Sequence, residues 1–383
     1  MKILIITMNV GRTAPGIVYE RLIHGLSKVH KVDVLTSDFD PSFELAEVKQ
    51  VFKLKSKRVH PRINKALISI LGIYPSDWIW ALKSNNLINQ TEQNDYDLIF
   101  SFIAFNHYAP LLAGNKISRS LNRKHMVYAV DALPPPAGWL KNDLFYKRTK
   151  GFISKYLSKV DGFFSANKKM LKYQLAIFKH KDNLVSGVIY NPSHGDLQNY
   201  QFAKNKVNTF LYTGGIYGPR KTEYIFAAFK KILTEYPNST LEFVGSKLSE
   251  ESLLVFTPDE RSKVLIHPFV RDLSPYYERC TALLDIDADL KDDIFLSSKI
   301  INYIKINRVI ISETGNNSPS REIFKNIPSI LQCDHDVEEI ANAMRQAIQL
   351  HETINFGDRS EVYKVFDLNN VIQNINNVIC NEY

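Results

Sequence analysis

The stretch FLYTGGIYGPRKTEYIFAAFKKILTEYPNSTLEFVG, residues 210–245, decides the fold. A short apolar run leads into a glycine-rich turn, an amphipathic helical pattern follows, and a second apolar run ends in Val244-Gly245. Strand, helix and strand in this order are typical of a βαβ unit with parallel strands. Because both strands are continuously apolar, we expect them to be buried on both faces. The stretch therefore predicts a parallel sheet covered by helices.

The same alternation extends in both directions along the chain. It starts at KILIITM (residues 2–8), lapses in a polar segment at 191–208, and then resumes. Two such series predict an α/β fold of two doubly wound, Rossmann-like domains, with a ligand cleft between their sheets. A chain of 383 residues is also too long for one hydrophobic core. We predict an N-terminal domain at 1–192, a C-terminal domain at 205–358, and a terminal helix at 359–383 that packs on the first domain.

Composition limits the classes of partner. The hydrophobic fraction of 45% and the charged fraction of 23% are those of a globular protein. The net charge of +8 favours an anionic partner: a nucleotide, a phospholipid surface or nucleic acid. No nucleic-acid-binding module is recognisable, so we expect no nucleic acid. Three scattered cysteines favour a reducing cytoplasm, and no apolar stretch is long enough to span a bilayer.

Aspartates crowd the segment LLDIDADLKDDIFLSSKIINYI, residues 283–304. An EF-hand starting at Asp285 would need glycine and glutamate where Leu290 and Leu296 stand, which excludes that calcium loop. The Asp-x-Asp pair fits a minimal divalent-metal pattern, but a three-residue match without context is a weak signal. We therefore interpret residues 285–289 as exposed carboxylates at a strand end, and we expect no metal.

The second half of that segment suits an anion instead. Ser297, Ser298 and Lys299 fall at a predicted helix start, where free N–H groups and the positive end of the helix dipole favour phosphate. The same residues are equally typical of ordinary helix capping.

The glycine-rich turn of residues 214–221 is a second candidate anion site. Gly214, Gly215 and Gly218 would let the backbone approach a ligand, and Arg220 and Lys221 would suit a diphosphate. The spacing matches neither the dinucleotide fingerprint nor the Walker loop. A basic turn on the surface is the alternative interpretation.

Together these motifs resemble the retaining glycosyltransferases of family four, which have the two-domain GT-B fold. The resemblance is carried by residues 210–245, by LIHPFVRDLSPYYERCTALLDID (265–287) and by FLSSKIINYIKINRVIISETG (295–315). YPSDWIWALKS, SFIAFNHYAPLLAG and VYAVDALPPPAGW look like the acceptor domain of a bacterial branch that builds surface polysaccharides. The resemblance implies sugar transfer from a nucleotide-sugar, with UDP expected, to a lipid-linked or surface glycan such as O-antigen, lipopolysaccharide or capsule, with retention and without metal.

The resemblance also implies roles for residues of the C-terminal half. The donor diphosphate would be bound by Arg220, Lys221, Lys299, Gly214, Gly215 and Ser298. Where the family carries two glutamates eight positions apart, this chain has Ile294 and Asn302. Asn302 would hold the ribose without the strength of a charged acceptor, and Asp292 or Asp293 would shift into the earlier role, near the donor sugar.

Three residues of the N-terminal half receive roles in the same way. Gly16 would lie in a glycine loop that faces the donor, and His107 and Asp131 are candidate catalytic residues near the reacting sugar and the acceptor. Each of the last two has a structural alternative: His107 as a helix N-terminal residue and Asp131 as the anchor of a turn.

A basic run at 53–65, KLKSKRVHPRINK, contains six Lys or Arg and no acid, and an apolar segment with two tryptophans follows it. This suits docking on an anionic membrane, while a solvated loop before a core helix is the alternative. We expect a cytoplasmic protein, peripheral on the inner face of the membrane. A second hypothesis for the whole chain is a degenerate GT-B scaffold that binds a glycan or a partner without turnover.

Overall fold

The computed structural model describes residues 1–56, 60, 67–91, 94–105, 107–136, 138–139, 144–193, 195, 197–201, 207–353 and 355–381. The chain forms two compact units, residues 1–192 with 367–383, and residues 193–366. Each unit contains one parallel sheet with helices between most of its successive strands, so the predicted α/β fold of two Rossmann-like domains is confirmed.

The first unit has a seven-stranded sheet in the order β3-β2-β1-β4-β5-β6-β7. Its strands are β1 (Lys2–Gly11), β2 (Lys31–Asp40), β3 (Val48–Lys53), β4 (Leu98–Ile103), β5 (Lys124–Ala129), β6 (Gly162–Ser165) and β7 (Val185–Val188). Its helices are α1 (Ala14–Ser27), α2 (Pro75–Asn89), α3 (Ala109–Leu121), α4 (Leu144–Leu157) and α5 (Lys168–Leu175), with α14 (Leu368–Asn381) at the end of the chain. Apolar clusters cover both faces of the sheet, which explains the continuous apolar run of β1.

The second unit has a six-stranded sheet in the order β10-β9-β8-β11-β12-β13. Its strands are β8 (Asn208–Thr213), β9 (Ser239–Val244), β10 (Val264–His267), β11 (Ala282–Ile286), β12 (Val309–Glu313) and β13 (Ile330–Cys333). Its helices are α6 (Glu223–Glu235), α7 (Glu250–Leu253), α8 (Pro258–Arg261), α9 (Ser274–Arg279), α10 (Ser298–Tyr303), α11 (Pro319–Ile323), α12 (Val337–Leu350) and α13 (Ser360–Phe366). β8, α6 and β9 are the βαβ unit predicted from residues 210–245.

The end of the chain differs from the prediction. Residues 359–383 do not form one helix, because α13 belongs to the second unit and the chain enters the first unit only with α14. There α14 packs on α1 through Gly25, where a Cβ would lie 2.3 Å from Cγ1 of Ile372. A side chain at position 25 would therefore separate the two helices.

Two edge strands were not predicted from the sequence. β3 exposes most of its residues, so it lacks the apolar pattern of a buried strand. β13 has two polar or partly buried residues among its four, so it also lacks a continuous apolar pattern. None of the helices in the described part of the chain is both long and apolar enough to cross a membrane.

Candidate functional site

The glycine-rich turn lies at the carboxyl edge of the second sheet, directly after β8. Gly214 has a φ of +97° and Gly218 a φ of +66°, values that L-residues with side chains rarely adopt. The Gly214 N–H donates to the Val244 carbonyl at 2.8 Å, and the Ser246 hydroxyl donates to the Gly214 carbonyl at 2.5 Å. The turn is thus fixed to the end of β9, the neighbouring strand.

Lys299 lies beside this turn. A Cβ on Gly214 would be 3.3 Å from Cε of Lys299, so the two residues are in contact. The Lys299 ammonium lies 5.1 Å from the centroid of the Tyr212 ring, whose hydroxyl donates to the carbonyl of the exposed Gly215 at 3.0 Å. The fold therefore brings together the two candidate anion sites that the sequence places far apart.

The helix that carries Lys299 is shorter than the sequence analysis assumed. α10 has six residues, and Ser297 is its N-cap, accepting from the Lys299 N–H. Ser297 is buried and donates to Asp285 at 2.6 Å, whereas Ser298 is exposed at the first helical position. Because so short a helix has a weak dipole, the positive charge of this site comes mainly from side chains.

Arg220 and Lys221 have different environments. The Arg220 side chain is 6% exposed; its guanidinium lies 3.9 Å from the Asp287 carboxylate and 4.7 Å from the Tyr217 ring centroid. Lys221 is half exposed and donates to Asp289 at 2.6 Å. Arg220 and Lys299 are thus the cations of the candidate site, while Lys221 forms a surface ion pair beside it.

The interpretation of residues 285–289 as exposed carboxylates is wrong. Asp285 is 0% and Asp287 1% exposed, and the Asp289 carboxylate is held by Lys221. The reason is topological: β11 is an inner strand between β8 and β12, and the residues after it are covered by an antiparallel bridge between Arg220 and Ala288.

Two further acids extend this cluster. Asp293 and Glu313 are both 1% exposed, and Glu313 at the end of β12 lies 2.8 Å from Nδ1 of His335. Sequence analysis missed Glu313 and His335. Glu313 could have been found from its position as the last residue of the predicted strand β12, at the edge where parallel α/β sheets bind ligands. His335 follows β13, which was not predicted, so the sequence carried no such signal for it.

Burial shifts the pKa values of this cluster toward neutral pH. It raises the pKa of Asp287 to about 7, and the charges of Asp293 and Asp285 raise it further while Arg220 opposes the shift. Burial and the neighbouring Arg220 lower the pKa of Lys299 to about 8, against the attraction of Asp285 and Asp287. Protonation states at this edge therefore change between pH 6 and 9.

The Glu313–His335 pair is perturbed in the same way. Burial raises the pKa of Glu313 to about 7, although the hydrogen bond from His335 lowers it. Burial alone would lower the pKa of His335, but the hydrogen bond and charge of Glu313 raise it. The pair can therefore share a proton near neutral pH.

The candidate ribose and donor-sugar residues lie on or just before α10. The Asn302 side-chain amide donates to the Ser298 carbonyl at 2.8 Å, within its own helix. Asp293 is buried and its charge raises the pKa of Asp287, while Asp292 is exposed and accepts from Asn317 at 2.7 Å. Of the two acids, only Asp293 belongs to the buried cluster.

Within the ranges that the structure describes, no three His, Cys, Asp or Glu side chains are arranged to hold a metal ion. The expectation that the reaction needs no metal stays a prediction.

In the first unit, Asp131 and His107 follow the neighbouring strands β5 and β4. Asp131 accepts from the backbone N–H of Phe105, and burial raises its pKa to about 6. His107 closes a tight turn with Ala104, its N–H donating to the Ala104 carbonyl at 2.9 Å, and burial lowers its pKa. One hydrogen-bonded turn thus connects both candidate residues at this sheet edge.

Gly16 lies in the first turn of α1 rather than in the preceding loop, which corrects its predicted position. The Thr13 side chain caps the helix by accepting from the Gly16 N–H at 3.1 Å. A Cβ on Gly16 would be 2.0 Å from the Gly11 carbonyl oxygen and 2.3 Å from Oδ1 of Asn9. Only glycine lets the helix start this close to the end of β1.

The basic segment at 53–65 is described only in part. Residues 57–59 and 61–65, which carry most of its charge, lie outside the described residues. Its role at a membrane stays a prediction.

No family model matches the chain, and no curated protein matches it by sequence. Solved structures do match over its length. HepE from Anabaena, in complex with UDP-glucose, superimposes with a TM-score of 0.69 at 12% identity, covering 100% of both chains. The lipopolysaccharide outer core galactosyltransferase WaaB superimposes with a TM-score of 0.67 at 13% identity, covering 100% of both chains. A glycosyltransferase from Rickettsia africae superimposes with a TM-score of 0.68 at 12% identity, covering 98% of this chain and 97% of that one. At such identities the likeness shows the fold, which is that of the GT-B glycosyltransferases.

Proposed function

We propose that this protein is a glycosyltransferase that moves a sugar from a nucleotide-sugar, with UDP the expected nucleotide, to a lipid-linked or surface glycan. The observation that carries this proposal is the convergence of Arg220 and Lys299 beside the glycine-rich turn, at the carboxyl edge of a parallel sheet. Ligands of α/β sheets bind at this edge, and two cations beside flexible backbone suit a diphosphate.

The residues of the second unit would act on the leaving group. Cleavage of the bond between sugar and diphosphate develops negative charge on the diphosphate, and fixed cations stabilise that charge as it forms. Lys299 and Arg220 supply these cations, and the Gly214 and Gly215 backbone lets the phosphates approach. Asn302, one helical turn after Ser298, would bind a ribose hydroxyl.

The residues of the first unit would act on the acceptor. With a pKa raised to about 6, Asp131 is ionised at neutral pH and basic enough to accept the proton of the attacking hydroxyl. His107, whose pKa is lowered by burial, is neutral there and can orient the acceptor by a hydrogen bond. Retention of configuration and independence from metal are proposed on the family resemblance alone.

A lipid-linked acceptor would be met at the membrane surface. The six Lys or Arg of residues 53–65 support binding to anionic lipid on the inner face. Sedimentation with vesicles of phosphatidylglycerol, compared with vesicles of phosphatidylcholine, tests this part. Equal sedimentation with both would contradict it.

The alternative is a scaffold with this fold that binds without turnover. Two observations favour it: Asn302 stands where the resembling family has glutamate, and the Arg220 guanidinium is covered by Tyr217 and held by Asp287. The retained cations oppose it, because Arg220 and Lys299 still lie at the glycine-rich turn, where they suit a diphosphate.

A thermal-shift screen of UDP, GDP, ADP and UDP-sugars, with and without EDTA, tests the proposal. A ligand at a hundred times its Kd stabilises the folded state by about 2.7 kcal/mol, which is a shift of a few degrees. We expect stabilisation by UDP and UDP-sugars, no effect of EDTA, and loss of the response in Arg220→Ala and Lys299→Ala. No response to any nucleotide would contradict the transferase proposal, and a response abolished by EDTA would contradict its independence from metal.

Turnover separates a transferase from a nucleotide-binding scaffold. We expect the protein to release UDP from the UDP-sugar that stabilises it best, slowly with water and faster with a glycan acceptor. Binding without any UDP release would favour the scaffold.

A further inference from the structure

Arg220 has an anionic partner within its own chain. Its guanidinium lies 3.9 Å from the Asp287 carboxylate, and the two side chains are 6% and 1% exposed. The Tyr217 ring covers the guanidinium at 4.7 Å from its centroid. The cation assigned to the diphosphate is therefore engaged by a buried carboxylate of the same chain.

Charged groups on the elements that pack against Asp287 act on its carboxylate. They are the carboxylates of Asp285 and Asp293, the guanidinium of Arg220 and the ammonium of Lys299. Two neutral groups also donate to the Asp287 carboxylate: the Ala288 N–H at 3.0 Å and the Thr314 hydroxyl at 3.4 Å. The Glu313–His335 pair lies at the same sheet edge, where the Asp287 N–H donates to the Glu313 carbonyl at 3.0 Å.

The balance of these charges leaves little room for an added anion. Three buried aspartates share two cations, Arg220 and Lys299. A bound diphosphate would bring at least two more negative charges beside them. A buried carboxylate that loses its cation to a competing anion is strongly destabilised, and the usual response is to take up a proton.

We propose that Asp287 is an internal counter-ion that competes with the donor diphosphate for Arg220 and that takes up a proton from solvent when the donor binds. The proposal deepens the proposed function and rests on it. It makes donor affinity depend on pH through a residue that does not touch the reacting atoms.

The pKa of Asp287 decides in which direction donor affinity changes with pH. Burial and two neighbouring aspartates raise the pKa of Asp287 to about 7, and a diphosphate on Arg220 would raise it further. At pH 6 the carboxyl is already neutral and donor binding is unopposed. At pH 8 it is about ten-to-one ionised, so binding must first protonate it and is weakened about tenfold.

Lys299 contributes to proton uptake separately. Its pKa of about 8 in the free protein rises when an anion binds, so it also takes up a proton, but above pH 8. A variant of Asp287 separates the two contributions, because it removes only the uptake centred near pH 7.

Calorimetric titration with UDP-glucose tests the proposal without a variant. The phosphates of this ligand do not titrate between pH 6 and 9, so any protons taken up or released during the titration are bound or lost by the protein. Titrations at pH 7.0 in two buffers of different ionisation enthalpy give the protons taken up. We expect net uptake by the wild-type protein; binding with no uptake would overturn the proposal while leaving the proposed function intact.

The Asp287→Asn variant tests whether Asp287 is the residue that takes up the proton. We expect it to bind UDP-glucose about tenfold more tightly than wild type at pH 8, and within about twofold at pH 6. Asp259→Asn, which removes an exposed charge from α8 of the same unit, is the control and should follow wild type. Equal affinities of Asp287→Asn and wild type at pH 8 would overturn the proposal. If the wild-type protein binds no nucleotide-sugar in the screen, the proposed function itself fails.

Discussion

A Cβ atom on Gly214 would lie 3.3 Å from Cε of Lys299, so the glycine-rich turn touches the first turn of α10. The contact exists because β8 and β11 pair in parallel and end at the same edge of the sheet. It joins two motifs that are each explained as ordinary turn or cap residues when taken singly. Their convergence is what makes a diphosphate site the better interpretation.

Gly214 should tolerate no side chain in a working site. Its φ of +97° is strained for any L-residue, and the added Cβ would press on Lys299. We expect Gly214→Ala to weaken UDP-glucose binding at least tenfold, measured by calorimetry. Gly245→Ala, which shares the positive φ (+78°) but whose Cβ would meet only Phe269, at 3.7 Å, is the control. Equal losses in both variants would argue against a contact between Lys299 and the ligand.

Lys299 should set the upper pH limit of donor binding. Its pKa is lowered to about 8, so its charge, and the affinity that depends on it, is complete below this value and is lost as pH rises through it. We expect the affinity of Lys299→Arg to fall less steeply than that of wild type between pH 8 and 9, because a guanidinium stays charged, and Lys299→Met to lose affinity at every pH. Isothermal titrations with UDP-glucose from pH 7 to 9 measure this. Parallel profiles for wild type and Lys299→Arg would contradict it.

Asp131 should set the lower pH limit of turnover. Its pKa is raised to about 6 by burial, so the carboxylate that accepts the proton is present above this value and is lost as pH falls through it. We expect kcat/KM to fall below pH 6, and Asp131→Asn to reduce turnover by about 10²- to 10⁴-fold. UDP-glucose affinity is the control and should stay unchanged. A variant that turns over normally would remove Asp131 from the acceptor site.

Asn302→Glu tests the departure from the resembling family. A carboxylate binds a hydroxyl more strongly than an amide does, so we expect the variant to bind UDP-glucose several-fold more tightly at pH 7. Asn302→Ala controls for loss of the hydrogen bond to the Ser298 carbonyl. If both variants bind like wild type, Asn302 does not contact the donor.

Gly16 should be required for stability, in contrast to Gly151 of α4. Any side chain at position 16 meets the Gly11 carbonyl oxygen, a backbone atom that cannot move aside, while a Cβ on Gly151 meets nothing within 4 Å. We expect urea unfolding to show Gly16→Ala destabilised by about 1–3 kcal/mol and Gly151→Ala stabilised by up to about 1 kcal/mol. The opposite order would show that the start of α1 can rearrange.

Much of the fold could be predicted from local patterns. The apolar runs of β1 and β8 and the amphipathic pattern of α6 indicate strands and helices without reference to the rest of the chain. β3 and β13 could not be predicted, because an edge strand needs no apolar face on its exposed side. The break before α14 escaped prediction because helical periodicity continues across it.

The cations of the candidate site could be predicted from the sequence, but its buried acids could not. Arg220 and Lys299 stand beside glycines and serines that carry a local signal for anion binding. Asp287 carries no such local signal, because an Asp-x-Asp pattern is the same whether its side chains are solvated or buried.

The sequence by itself thus determined the alternation of strands and helices, because hydrophobic periodicity is a property of neighbouring residues. Only the tertiary structure decided that Asp285 and Asp287 are buried and that Asp287 lies against Arg220. Burial at a strand end depends on which other loops cover it, and here the covering residue is Arg220, from the loop after β8. The charge of each group then follows from its desolvation and its neighbours, which no local pattern contains.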